Sequence, residues 1–192
     1  MSDIAGALGV RVVGCHEKYL GLRSFVSRNK RSLFAHLRDR VLSRTQGWQG
    51  RLLSSAGKEV LIKSVLQAIP TYSMSLFRFP KGCIRDLHRV CAAFWWGSSV
   101  SSRKVHWGSW TKLCINKDHS GLGFRDFGAF NQALLRKQCW RILKEPSSLV
   151  ARVLKSCYFP SSSLLEAKAV HSGSFMWKSL LWGRDLVVKG SR

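Results

Sequence analysis

Between Gly47 and Pro80 the chain reads GWQGRLLSSAGKEVLIKSVLQAIPTYSMSLFRFP, and within it Val60, Leu61, Val65, Ala68 and Ile69 recur at helical intervals. That spacing places the five side chains on one face of an α-helix, which is expected to be buried. Arg51, Lys58 and Lys63 flank the apolar set. A helix with one apolar face and one cationic edge suits a clamp that packs on its own domain while touching phosphate. Pro70 lacks an N–H and biases its predecessor out of the α region, so the helix is expected to end at Ile69. Ser54 and Ser55 are candidate caps, with Glu59 one place too late for a strict capping box counted from Ser55.

The same periodicity predicts a helix after Ser32, with Leu33, Phe34, Leu37 and Val41 on one face and Arg38, Arg40 and Arg44 on the other. Ile84, Leu87, Val90, Cys91 and Phe94 mark another, ending near Trp96 and Gly97. A further helix carries Phe127, Phe130, Leu134 and Leu143, has a cationic side of Arg136, Lys137, Arg141 and Lys144, and is closed by Pro146. Ser147 or Ser148 caps the next, through Leu149, Val150, Val153 and Leu154, which Pro160 and its serines end. The last is expected from about Phe175 to Leu181, with Gly183 as its stop.

Two stretches lack that period. Val10 to Phe25 mixes β-branched and aromatic residues with Gly14 and Gly21, as a short hairpin does. Lys104 to Gly128 is irregular, with Trp107, Trp110, Leu113 and Phe124 set between glycines and charges. Aromatics in such a stretch stack on bases or, more commonly, pin a loop to a helical core. The pattern therefore gives a mainly α chain: a short N-terminal β hairpin, a helical bundle, and an irregular Trp-rich linker followed by helices.

Charge changes this picture. The 192 residues include 32 Lys plus Arg against 10 Asp plus Glu, a formal charge of +22, while 45% are hydrophobic and eight are Trp. Such a chain is expected to fold, and self-repulsion on that scale is best relieved by a polyanion, nucleic acid first. A membrane is the weaker partner, because Lys63, Gln67, Pro70 and Thr71 interrupt the most apolar long window and no spanning helix is expected. The opening MSDIAGALGV does not read as a signal peptide, so an intracellular and, given the polyanion, nuclear location is expected. The six cysteines show no paired close spacing and read as small core residues.

Candidate chemistry is sparse. The ten acids are scattered singly, the closest two being Asp118 and Asp126, so no local carboxylate pair presents itself for two divalent metals. There is no P-loop and no GxSxG elbow. Cys83, His88 and Cys91 are the best-spaced metal set, but one helical face does not present all three well; core cysteines and a surface histidine are the simpler reading. Cys15 and His16 would point to opposite faces of a strand, which argues against a nucleophile and base. No catalytic residue, metal or cofactor is assigned.

Taken together, HEKYLGL (His16 to Leu22), the Gly47 to Phe77 stretch, FWWG (Phe94 to Gly97), KVHWGSW (Lys104 to Trp110), SGLGFRDFGAFNQALLRKQCWRIL (Ser120 to Leu143) and FMWKSLLWGRDLVVKG (Phe175 to Gly190) resemble the reverse transcriptases of plant long interspersed element (non-LTR) retrotransposons. The resemblance covers nearly the whole chain, through the order and spacing of motifs that are individually weak. It implies a palm-end segment and connecting helix over 1–45, a thumb-like helical domain over 46–97, and a post-thumb helical linker over 98–192, truncated before the zinc-binding region. It further implies that Tyr19, Leu20 and Gly21 act as a primer grip, and that Trp48, Arg51, Lys58 and Lys63 lie along a template–primer duplex. The metal-binding aspartates of such enzymes fall upstream of the first matching residue here. Two departures are local: Arg23 stands where the family often has Pro, and Ser120 where it often has the first of two glycines. Three readings follow. The chain is a truncated reverse transcriptase segment that binds duplex without polymerising; or a domesticated nucleic-acid-binding or scaffold protein that joins a palm-containing polymerase chain; or an autonomous enzyme with an unrecognised site.

Overall fold

The computed structural model describes residues 18–19, 22–23, 30–48, 53–98, 102, 104–169 and 173–190. Among them the chain is mainly helical: α1 (Lys30–Trp48), α2 (Ser55–Leu61), α3 (Thr71–Leu76), α4 (Lys81–Trp96), α5 (Trp110–Leu113), α6 (Phe127–Lys144), α7 (Leu149–Tyr158) and α8 (Phe175–Gly190). A π-helical turn, Ile62–Leu66, continues α2, and a 3₁₀ turn, Lys117–His119, follows α5. No helix of the described residues is long and apolar enough to cross a membrane. Near the N-terminus, Lys18–Tyr19 pairs antiparallel with Leu22–Arg23. Two residues a side are too short to establish the hairpin expected over 10–25, most of which lies outside the described residues.

Helix α1 forms on the predicted period: Phe34, Leu37, Val41 and Thr45 are all buried. The Thr45 hydroxyl donates to the Leu42 carbonyl at 2.7 Å, so its burial leaves no donor unpaired. This face packs on α4, whose Leu87, Cys91 and Phe94 are buried. Helix α4 stops where expected. Gly97 adopts φ +71°, its N–H donates to the Phe94 carbonyl, and the Ser98 N–H reaches the Ala93 carbonyl at 2.8 Å, the two bonds of a Schellman cap.

The face expected from Val60, Leu61, Val65, Ala68 and Ile69 is corrected in part by the structure: Leu61 and Ile69 pack, partly buried, against the core. Val60 is 62% exposed and Ala68 is exposed, whereas Ile62, Leu66 and Gln67 are sealed inside. Val60 lies two residues, about 200°, from buried Ile62 and so faces the other way, and beyond it a π turn shifts the phase: the Gln67 N–H donates to the carbonyl of Ile62, five residues back, at 2.9 Å. One extra residue per turn moves the buried stripe off the 3.6-residue repeat on which the expectation rested. The start and end are as the caps suggest. Ser54 Oγ accepts from the Gly57 N–H at 3.2 Å, and Pro70 separates the π turn from α3.

After α3 the chain runs extended through Phe77 to Phe79 toward α4, and one side chain organises that crossing. Asn131, on α6 and fully buried, accepts from the Phe79 N–H at 2.9 Å and donates to the carbonyls of Met74 at 2.7 Å and Phe77 at 2.9 Å. It thereby satisfies groups that the end of α3 leaves without helical partners. The Arg78 N–H donates to Ser179 Oγ on α8 at 2.8 Å, tying the same segment to the last helix.

Helices α6 and α8 make the most extensive contact among the described elements. Gly183 was expected to stop the last helix, yet α8 continues to Gly190 and Gly183 is buried in its middle. A Cβ there would lie 2.6 Å from both the carbonyl carbon and the Cβ of Leu135. The glycine serves close approach of two helix backbones rather than a left-handed cap. Around this contact lies a second core in which Trp177 stacks on Tyr158 at 4.6 Å and on Phe159 at 5.7 Å. Helix α7 starts at the Ser148 cap, but only Ala151 and Leu154 are buried; Leu149, Val150 and Val153 face out.

The linker folds by backbone bonds across a tight turn, with the N–H groups of Leu122 and Phe124 both donating to the Leu113 carbonyl. Ser120 sits in the left-handed region at φ +62°, where a side chain costs about 1 kcal/mol. This is the position where the resemblance expects glycine, and the backbone gives the physical reason.

Candidate nucleic-acid interface

The lysines expected on phosphate both have partners inside the fold. Lys58 Nζ donates to the Trp95 carbonyl at 3.4 Å, so the cation sits at the C-terminal end of α4, where the helix dipole favours it. With the N–H groups of Ser98 and Gly97 it gives partners to the carbonyls of Ala93, Phe94 and Trp95 at the end of that helix. Lys63 pairs with Glu59 at 2.7 Å and lies 5.7 Å from the Phe124 ring centre. Lys117 meets the same Glu59 oxygen, Oε1, also at 2.7 Å, and hydrogen bonds from Lys117 and Lys63 hold that carboxyl below its ordinary range. Trp48 is half-buried with its ring 5.6 Å from Phe94. Tyr19 lies in the short antiparallel pair; Leu20, Gly21 and Arg51 fall outside the described residues.

A cationic cleft of about 390 Å³ opens instead along the outer side of α1, lined by Arg40, Ser43, Arg44, Gly47 and Trp48. Arg40, Arg44 and Trp48 follow at four-residue steps, which sets them in one row. Among the described residues neither arginine is in a salt bridge, whereas Arg38 beside them pairs with Asp39 at 2.7 Å. The row can offer two guanidinium groups and the edge of an indole to one strand of a phosphate backbone.

Most of the described acids are engaged within the fold. Glu59 holds two lysines, Asp86 pairs with Arg89, Glu145 with Arg141 and Asp185 with Arg184. Asp126 caps α6 by accepting from the Ala129 N–H at 2.8 Å. Two of the Cys83, His88 and Cys91 set, His88 and Cys91, are packed into the fold. His88 Nε2 accepts from the Phe127 N–H at 3.0 Å and its ring stacks on Phe127, while burial pushes the Cys91 thiol up to about 12. Cys139 is likewise a buried thiol, but Cys157 is exposed and departs from the core reading of the cysteines.

His88 carries a pH dependence. Burial lowers its pKa from 6.5, with the Asp126 carboxylate at 3.8 Å opposing the shift, and only the neutral ring accepts from Phe127. The unfolded chain therefore binds the proton more readily. Stability present above pH 6.5 is lost as pH falls from there through the depressed folded-state value. The melting temperature is expected to fall by a few degrees over that window, about 2–4 °C per kcal/mol. His88→Gln, which keeps an acceptor without the titration, should flatten the profile; an equally steep profile would show that another group is responsible.

Of the linker aromatics, Trp110 and Phe124 are buried and stacked at 5.1 Å, the loop-anchoring role, whereas Trp107 is 84% exposed. Periodicity marked Arg40 and Arg44 as a cationic face, but it gave no sign of Asn131, whose polar side chain in a helix reads as solvent-facing.

No protein-family model matches the chain. Over 124 residues it is 46% identical to the "Uncharacterized mitochondrial protein AtMg00310" of Arabidopsis thaliana, a match covering 64% of this chain and 80% of that one. The chain belongs to the family of AtMg00310. Over 166 residues it is also 35% identical to the "Putative ribonuclease H protein At1g65750" of Arabidopsis thaliana, covering 85% of this chain. There it spans only 27% of the relative. The AtMg00310 family thus shares a segment with a protein several times longer than this chain.

Proposed function

We propose that the chain is a segment of non-LTR retrotransposon reverse transcriptase descent, thumb plus linker, that grips a nucleic-acid duplex through its phosphates and does not polymerise. The observation that carries this reading is the α1 cleft, where Arg40 and Arg44 lie beside Trp48 and are in no salt bridge among the described residues. The similarity to a segment of a longer protein named for ribonuclease H supports a retroelement origin. Lys58 and Lys63 contribute by bracing α4 and the linker, so the phosphate contacts shift to α1. The primer-grip role of Tyr19, Leu20 and Gly21 stays part of the proposal. A mitochondrial location competes with a nuclear one, since the relative's name carries the former.

The test is a salt titration on several duplexes. Affinity should fall with salt at a log–log slope of about 0.9 per neutralised phosphate, and Arg40→Gln with Arg44→Gln should shallow that slope by about two, alike on all sequences. An unchanged slope would remove the cleft from the interface. Template-dependent incorporation above a heat-inactivated control would overturn the non-catalytic half.

A second reading, a scaffold that joins a palm-containing chain, is favoured by an apolar groove of about 280 Å³ between α3, α6, α7 and α8, on whose rim Leu149 is 74% exposed. Leu149→Asp abolishing capture of such a chain, with duplex affinity intact, would favour it; capture that survives the change would count against it.

A further inference from the structure

We propose that Trp107 is a stacking platform for one unpaired base of a nucleic-acid strand, with Lys104 on the phosphate beside that base. The proposal extends the nucleic-acid reading from phosphates to a base, and its test uses a single strand so that the two can fail separately.

Trp107 is 84% exposed, more than any other large apolar side chain among the described residues. The chain is anchored on both sides of it. Upstream, Ser98 Oγ accepts from the Lys104 N–H at 3.1 Å and lies 3.3 Å from His106 Nε2, and the His106 ring stacks on Trp96 at 6.1 Å. Downstream, Trp110 is buried and stacked on Phe124, and Ser109 caps α5 by accepting from the Lys112 N–H at 3.4 Å. The segment is therefore pinned to the end of α4 and to the linker core, while its indole stands in solvent.

That indole is not spent on packing. Among the described residues its ring has neither an aromatic nor a cationic partner. Val105, 69% exposed, adds apolar surface two residues away. The surroundings are basic: a Cβ on Gly97 would stand 3.6 Å from Lys58 Nζ and 3.9 Å from Lys104 Cδ, so two lysines meet at the end of α4. Lys58 is held on the Trp95 carbonyl. Lys104 is exposed and, among the described residues, in no salt bridge.

A ligand for this surface must offer a flat apolar face with negative charge close by, to a chain of formal charge +22. A strand of nucleic acid alternates the two. Base–indole stacking tolerates any base, because every base has a π-face, and a cationic side chain tracks the backbone. Within a duplex those faces are stacked on one another, so the platform takes an unpaired stretch.

Against a short fluorescent single strand, Trp107→Ala should bind about tenfold more weakly, with an unchanged salt slope because a stacked base releases no counterion. Trp107→Phe, which keeps a ring, should recover most of that affinity, and this separates stacking from a change of fold. Lys104→Gln should instead shallow the slope by about 0.7. An abasic strand keeps the phosphates without the bases, and wild type and Trp107→Ala should bind it equally. If Trp107→Ala matches wild type on the normal strand, or loses as much on the abasic one, the platform is overturned. Wild type that binds no single strand overturns it as well, even where blunt duplex binds and the α1 cleft stands. Single-strand binding that needs Trp107, in a protein that binds no blunt duplex, keeps the platform and sinks only the duplex reading. Binding to anionic vesicles that needs Trp107, with single-strand affinity untouched by the change, assigns the indole to a membrane and overturns the platform.

Discussion

Replacing Asn131 with Ala is expected to lower the melting temperature by about 10 °C. The substitution removes three hydrogen bonds at once, two buried and one part-buried, and takes from the Phe79 N–H and the carbonyls of Met74 and Phe77 the partner they share. Each unsatisfied buried group costs about 1–3 kcal/mol. Partial relaxation brings the total to about 3 kcal/mol, at about 3 °C per kcal/mol for a chain of this size. Asp at this position accepts from Phe79 but cannot donate to the two carbonyls when ionised, so it should recover little. A thermal melt reads the effect, and an Asn131→Ala midpoint within about 2 °C of wild type would show that the crossing is held by its phenylalanines rather than by this amide.

Gly183→Ala offers a sharper test because its sign is diagnostic. In an unconstrained helix the change stabilises by about 1 kcal/mol. Here the added methyl would stand 2.6 Å from two atoms of Leu135 and 2.8 Å from the Arg136 nitrogen, so α6 and α8 must separate. Overpacking of that kind costs about 1–3 kcal/mol, occasionally more, and the backbone atoms involved have little room to give. A net loss of about 2 kcal/mol should appear as a lower urea midpoint with helicity nearly unchanged. A stabilised variant would refute the close approach.

These two positions also mark where the sequence stops being informative. Helix α1 and helix α4 were legible because Phe34, Leu37 and Val41 on one, and Leu87, Cys91 and Phe94 on the other, keep the helical period and meet clear terminal signals. Ser54 and Ser148 declared their caps by residue type alone. Asn131 was illegible because its three partners lie more than fifty residues away, and a lone Asn in a helix looks solvated. Gly183 was misread since a glycine near an apolar run signals a stop equally well as a contact. The candidate interface divides the same way. The cationic row on α1 follows from local spacing, but Lys117 meets Glu59 only through the tertiary fold. The internal engagement of Lys58 likewise depends on Trp95, which no local pattern names.

The π turn between Ile62 and Leu66 has a consequence for how this segment tolerates change in length. It is a slack loop in the thread, one residue beyond what a regular α turn holds. Deleting any single residue there would let the backbone close as a continuous α-helix at little local cost. The flanks would keep their aim, because the turn closes over five residues and loses only its surplus one. Lys58 would stay at the end of α4, so a gene shortened by one codon here could still encode the same bundle, whereas one codon lost from regular α4 would rotate its two ends by about 100° against each other.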